Sequence, residues 1–193
     1  WWTLDEACRE AAALKAKGHG DIKMGVNLFP AQLRAPNLCR KVADALERHR
    51  LDPSLLELEV TETIALHDDD QSLEAMTALR DIGVGIAFDD FGTGYASLSS
   101  LQRYPLTTLK IDRGFVRDLL EKPRDAAITR ALIAMSRELG LETIAEGIET
   151  VEQERFLRSL GCPAAQGYRY GKPMPAQDIE RFLSVSHHLP AMG

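Results

Sequence analysis

Six short apolar runs in this chain each end in a polar or charged residue able to bind a metal ion, and amphipathic helical patterns separate them. The runs are Ile22, Met24 and Val26 ending at Asn27; Leu56 and Leu58 ending at Glu59; Val84, Ile86 and Phe88 ending at Asp89 and Asp90; Leu109 ending at Lys110; Thr143, Ile144 and Ala145 ending at Glu146; and Ala164 and Ala165 ending at Gln166. Strands that alternate with helices in this way form a parallel sheet. The expected fold is therefore α/β, a TIM-like (β/α)8 barrel whose strand C-termini all open on one face and assemble a site from residues far apart in sequence. Six of the eight strands are accounted for, and 193 residues fall short of the roughly 250 of a complete barrel. Because the chain opens on Trp1 rather than Met, it is expected to begin inside a larger protein.

The helical stretches follow the strands in order. Residues 37–49 carry Leu38, Val42, Ala45 and Leu46 on one face, and residues 71–82 carry Leu73, Met76, Leu79 and Ile82 on another. Further helices are expected near 125–139, 150–160 and 175–184, the last begun by Pro175 where a missing amide costs nothing. At the start of the chain, Thr3 and Glu6 have the spacing of a capping box that would open a helix. Gly18, Gly83, Gly140 and Gly161 stand where helices should stop. No linker or low-complexity stretch interrupts the pattern, which reads as one domain over 1–184 followed by a tail, 185–193.

Composition removes several functions. A formal charge of −6 offers no basic footprint for a nucleic-acid polymer. Cys8, Cys39 and Cys162 are an odd number at wide spacing, which suits small buried hydrophobes in a reducing compartment better than disulfides or a zinc site. The chain has no apolar stretch near the roughly 20 residues needed to span a bilayer and no signal sequence. The expected location is cytoplasmic, which leaves a parent protein free to be membrane-anchored. The five histidines show no ligand spacing and read as surface residues.

Period-two alternation decides which side chains face the barrel axis. Gly85, Ala87 and Asp89 share one face, as do Glu57 and Glu59, and Lys110 and Asp112; Glu62 lies just beyond its strand. Taken singly, a carboxylate at a strand end is more often a helix cap or solvated. Several crowded on one rim would repel each other unless cations sat between them, which calls for hard divalent ions held by oxygen, Mg²⁺ or Mn²⁺. The neighbours Asp89 and Asp90 suit a pair of ions, and a two-ion site is a common device for hydrolysing phosphodiesters, with Lys110 adding positive charge near the attacking water or the phosphoryl oxygens. The run Asp90, Phe91 and Gly92 is no kinase signature, since no catalytic loop or Gly-rich loop accompanies it. From spacing alone an aldolase- or enolase-like metal barrel is also open.

Six ordered motifs resemble one family. They are Val26, Asn27 and Leu28; Glu59, Val60, Thr61 and Glu62; Asp89, Asp90, Phe91, Gly92, Thr93, Gly94 and Tyr95; Leu109 to Arg113; Glu146 to Thr150; and Gln166, Gly167 and Tyr168. The chain resembles the EAL domain, a bacterial signalling phosphodiesterase that opens cyclic di-GMP to linear pGpG with Mg²⁺ or Mn²⁺. The resemblance implies two ions held by Asn27, Glu59, Asp89, Asp90 and Glu146. It implies catalytic roles for Lys110 and Glu146, nucleotide contacts for Asn27, Glu149 and Gln166, and support from Asp112 behind the ligands. Glu62, Phe91, Gly92 and Gly94 would anchor the loop after the third strand. A homodimer and upstream sensor or diguanylate cyclase-like domains are implied for the parent. The namesake Glu-Ala-Leu motif, which carries a further metal-ligand glutamate, belongs on a strand expected before Trp1, so the chain by itself is expected to be a weak or inactive enzyme. The alternative reading is a non-catalytic receptor for the same nucleotide.

Overall fold

The computed structural model describes residues 1–61, 70–92 and 98–186. Its elements in chain order are α1 (Trp2–Ala16), β1 (Met24–Asn27), α2 (Pro30–Leu33), α3 (Leu38–His49), a 3₁₀ turn (Pro53–Leu55), β2 (Leu56–Thr61), α4 (Asp70–Asp81), β3 (Gly85–Phe91), α5 (Leu98–Arg103), β4 (Thr108–Ile111), α6 (Arg113–Arg117), α7 (Pro123–Glu138), β5 (Glu142–Ala145), α8 (Val151–Ser159), β6 (Ala164–Ala165) and α9 (Ala176–Ser186). The six strands form one sheet in sequence order, every neighbouring pair parallel. This is the barrel-type order the alternation of runs predicts, with β1 and β6 each paired on one side only among the described residues.

The strands divide their side chains between two environments. On β2, Leu56, Leu58 and Val60 are fully buried, and the same outward parity holds Val26, Ile86, Phe88, Leu109, Ile111 and Ala145 beneath the helices. Against them pack Cys8 and Ala11 of α1, Val42 and Leu46 of α3, and Met76 and Leu79 of α4. A second cluster joins Ile111 and Ala145 to Val116, Ile133 and Leu157. The opposite parity, Glu57 and Glu59 on β2 and Lys110 on β4, is left for polar groups on the concave side.

The structure corrects some details. Helix α1 begins at Trp2 with Trp1 as its cap and no side-chain cap bond, so Thr3 lies inside the helix and the expected capping box does not form. Glu6 is instead bonded to Arg9 one turn on, an exposed pair. Ile22 precedes β1, and the short helices α2, α5 and α6 were not anticipated. His49 is not a free surface residue: its Nε2 lies 3.1 Å from Asp5 Oδ1, tying α3 to α1. The four helix-stopping glycines do take left-handed φ, between 71° and 94°.

Ile86 is wholly buried in the middle of the sheet. Ile86→Ala is expected to cost about 2–5 kcal/mol in denaturant unfolding, whereas Leu120→Ala, at a half-exposed side chain, should stay within about 0.5 kcal/mol. Equal costs for the two would show that the strand's outward face has been misassigned.

Candidate active site

The sequence-predicted residues lie at the C-terminal ends of their strands. Asn27 is the last residue of β1 and pairs in register with Glu59. Asp89 and Asp90 sit near the end of β3, Lys110 near the end of β4, and Glu146 and Gln166 directly follow β5 and β6. Three of these carboxylates are brought together around one ammonium. Lys110 Nζ lies 2.8 Å from Glu59 Oε2, 3.0 Å from Asp89 Oδ1 and 2.8 Å from Glu146 Oε1. Its side chain is 4% exposed and those of the three carboxylates 14–16%, so water screens the charges poorly.

A local irregularity in β3 lets consecutive aspartates serve the same site. In a regular strand Asp89 and Asp90 would point to opposite faces. Here Phe88 pairs with Leu109 and Phe91 with Ile111, so two residues of β3 oppose Lys110 alone, which is the count of a β-bulge. Asp90 takes φ 56°, a left-handed conformation that aspartate tolerates better than most residues. The outcome is a triad of Asp89, Asp90 and Glu146 whose ligand oxygens all lie within 4.8 Å of one another. The bulge thus gives a backbone cause for two consecutive carboxylates reaching one cluster.

Charge at this rim does not balance. Four carboxylates, Glu59, Asp89, Asp90 and Glu146, surround one lysine. Burial pushes Glu59 and Glu146 above the usual carboxylate range, Lys110 pulls them back only in part, and neighbouring carboxylates push the same way as burial. Asp90 is also raised, by burial and then by Asp89 and Asp112. Lys110 is raised as well: burial alone would lower it, yet the hydrogen bonds it donates to Glu146 and Glu59 hold it well above its ordinary value. An all-oxygen donor set with surplus negative charge fits a hard divalent cation.

The surroundings set this geometry. A Cβ at Gly25 would meet the Glu59 carboxylate and displace it. Glu57, one step below Glu59 and 2% exposed, accepts a hydrogen bond from Thr108 Oγ1 and fills the floor beneath. Asp112 lies just past β4, where it accepts from Gly114 N at 2.8 Å to cap α6 and bears on Asp90. Phe91 is buried, stacked 6.5 Å from Phe88, and Gly92 lies over the Phe115 ring at φ 98°. Glu149 and Gln166 are exposed on the rim. Glu62 and Gly94 lie outside the described residues. Sequence reading passed over Gln153, although Thr150 and Gln153 have the spacing of a capping box and do form one.

Comparison with known proteins bears on this arrangement. Residues 1–173 match the family model for the EAL domain. The chain is 48% identical over 178 residues to the bifunctional diguanylate cyclase/cyclic di-GMP phosphodiesterase MucR of Pseudomonas aeruginosa, covering 92% of this chain but only 26% of that protein. Among solved structures it resembles the PaMucR phosphodiesterase in its c-di-GMP complex, with TM-score 0.87, 48% identity and coverage of 92% and 72% of the two chains. It also resembles Klebsiella pneumoniae BlrP1 in a manganese and cyclic di-GMP complex, with TM-score 0.80, 32% identity and coverage of 89% and 44%. The six parallel strands, the rim of carboxylates around Lys110 and the match over most of its length agree: the chain belongs to the EAL domain family.

Proposed function

We propose that the protein carrying this domain hydrolyses cyclic di-GMP to linear pGpG, and that the rim around Lys110 is where it does so. The observation that carries the reading is a nearly buried ammonium held within 3.0 Å of three carboxylates, beside an oxygen triad of ion-binding size. Family membership and the names of the relatives supply the substrate.

In this reading Asp89, Asp90 and Glu146 hold divalent metal, with Asn27 and Glu59 completing the set from the neighbouring strand ends. Two ions, Mg²⁺ or Mn²⁺, would supply Lewis acidity toward the phosphodiester and acidify the attacking water. Lys110 contributes a fixed positive charge that orients that water and offsets charge developing on the phosphoryl oxygens. Glu146 serves both as ligand and as a carboxylate beside the reacting groups, while Asn27, Glu149 and Gln166 on the rim take the nucleotide. Asp112 steadies Asp90 from behind. Phe91 and Gly92 root the loop after β3, which Glu62 and Gly94 would help to fix. A homodimer, a cytoplasmic location and partner domains such as a sensor or a diguanylate cyclase follow from the family reading. The partner domains are supported further by the small share of MucR that this chain spans.

Asp89→Asn or Glu146→Gln in the full-length protein should remove nearly all cyclic di-GMP turnover, because each takes a charge from the oxygen triad. Lys110→Met should lower turnover by on the order of a hundredfold or more while Mn²⁺ binding persists. Unmutated rates in these variants would place the chemistry elsewhere. The 193-residue chain alone, with β1 and β6 paired on one side only among the described residues, is expected to turn over poorly.

Metal-free Lys110→Met tests the charge argument without any turnover. Removing the ammonium leaves three partly buried carboxylates without it, at a cost of about 1–3 kcal/mol once their residual exposure is discounted. Mn²⁺ should then raise the melting temperature of the variant more than that of the unmutated protein, since a ligand stabilises in proportion to its affinity for the folded state. Equal shifts would show that lysine and metal do not compete for the same charge.

A further inference from the structure

The segment 146–150 carries Glu146 and Glu149, and it is held from two sides. Toward β6, Ile148 N donates to Gln166 O at 3.0 Å and Arg169 N to Ile148 O at 2.9 Å. Toward β4, Glu146 N donates to Ile111 O at 3.1 Å, and Gly147, at φ 72°, lies so close that a Cβ would meet Arg113 Cβ at 2.5 Å. A further tie on that side is one side chain. Gln153, 6% exposed, accepts from Glu149 N at 2.9 Å and Thr150 N at 3.0 Å through Oε1. Through Nε2 it donates to Val116 O at 3.3 Å and Arg117 O at 3.0 Å, at the end of α6.

A primary amide has two donors and two acceptor sites, and all four are used here. The partners also fix which way the amide points, because reversal would set its NH₂ against two N–H groups and its oxygen against two carbonyls. A cap needs only the acceptor half, since N-capping satisfies free amides of the first turn. The donor half does something else: it joins the turn after β5 to the helix that follows β4, behind Lys110 and Glu146, whose side chains meet at 2.8 Å.

We propose that Gln153 is a positioning residue for the rim: its amide clamps segment 146–150 to α6 and thereby sets where Glu146 and Glu149 stand relative to Lys110. The assignment rests on the phosphodiesterase reading only for its effect on turnover. Its structural content, the placement of a metal-binding carboxylate, is separately measurable. Gln153 touches no reacting atom in this scheme and acts through the backbone of the turn.

The test uses the full-length protein with Gln153→Glu and Gln153→Met, both close to glutamine in volume. Glutamate keeps the acceptor half but sets a carboxylate oxygen against the carbonyls of Val116 and Arg117; methionine loses both halves. A control, Ile133→Ala in the α7 core, sets how much melting temperature falls from loss of packing alone. Measured per folded molecule, both Gln153 variants should bind Mn²⁺ about 10–100-fold more weakly, the usual consequence of losing support behind a metal ligand. Gln153→Met should also exchange the Glu149 and Thr150 amides faster, and both variants should lower kcat with little change in KM; the control should show none of these. The proposal is overturned if both variants keep the Mn²⁺ affinity and amide exchange of the unmutated protein, even with a lowered melting temperature. An unmutated protein that does not hydrolyse cyclic di-GMP would sink the functional reading instead, and the Mn²⁺ and exchange measurements would still decide the role of Gln153.

Discussion

The arrangement of this rim turns on one ammonium shared by three carboxylates that come from three other strands. Lys110 on β4 reaches Glu59 on β2, Asp89 on β3 and Glu146 after β5, so a single charge ties together four consecutive parallel strands at their C-terminal ends. Such a contact requires each strand to present the right parity, because a one-residue slip would send any of these side chains under the helices. The register is fixed from the other face. Leu56, Leu58 and Val60, Ile86 and Phe88, and Leu109 and Ile111 are all but fully buried, and exchanging them with their polar neighbours would put charge in the core.

Asp90 is where regular strand geometry is abandoned, and the reason is chemical. Two adjacent carboxylates on one face cannot come from an unbroken strand, so β3 carries an extra residue opposite Lys110 and Asp90 adopts positive φ. Buried aromatic packing on either side of the bulge holds it in place: Phe88 meets Phe91 at 6.5 Å and Tyr104 at 5.8 Å between ring centroids. The strain is thus local, confined by packing, and placed where the oxygen triad is built.

Much of this was legible in the sequence because the signal was redundant. Each strand announced itself by an apolar run and each site residue by its position at the end of that run, so Glu59, Asp89, Lys110 and Glu146 could be set on one rim before any coordinates. Alternation also placed Glu57 and Glu59 on the concave side. What escaped were features with no periodic signature. The bulge at Asp90 depends on how β3 pairs with β4, which no single strand encodes. Asp112 follows Lys110 by two residues, but β4 has ended there and the residue caps α6, a role that alternation does not encode. The Thr3 and Glu6 motif failed because the helix continues one residue upstream to Trp2, leaving Thr3 with a helical backbone and nothing to cap. The same type of spacing at Thr150 and Gln153 succeeded because the chain turns just before it, after Gly147. Local motifs of this kind are decided by the chain preceding them.

The rim is destabilising by construction. Four carboxylates with one lysine are costly to bring together away from water, and the upward displacement of Glu59, Asp90 and Glu146 measures that cost in direction. On the concave face Lys110 offsets it only in part. The offset lies in the outward faces of the strands and the helices over them, where Val42, Met76, Leu79 and Ile86 are lost entirely from solvent. This division explains why polar and apolar parity are kept so strictly apart along β2 and β4. A sheet that stored its stability on the concave side would have to fill that side with hydrophobic groups, and no oxygen cluster could then form; by placing the core outside, the fold leaves its inner rim free to carry surplus charge that a bound cation can relieve.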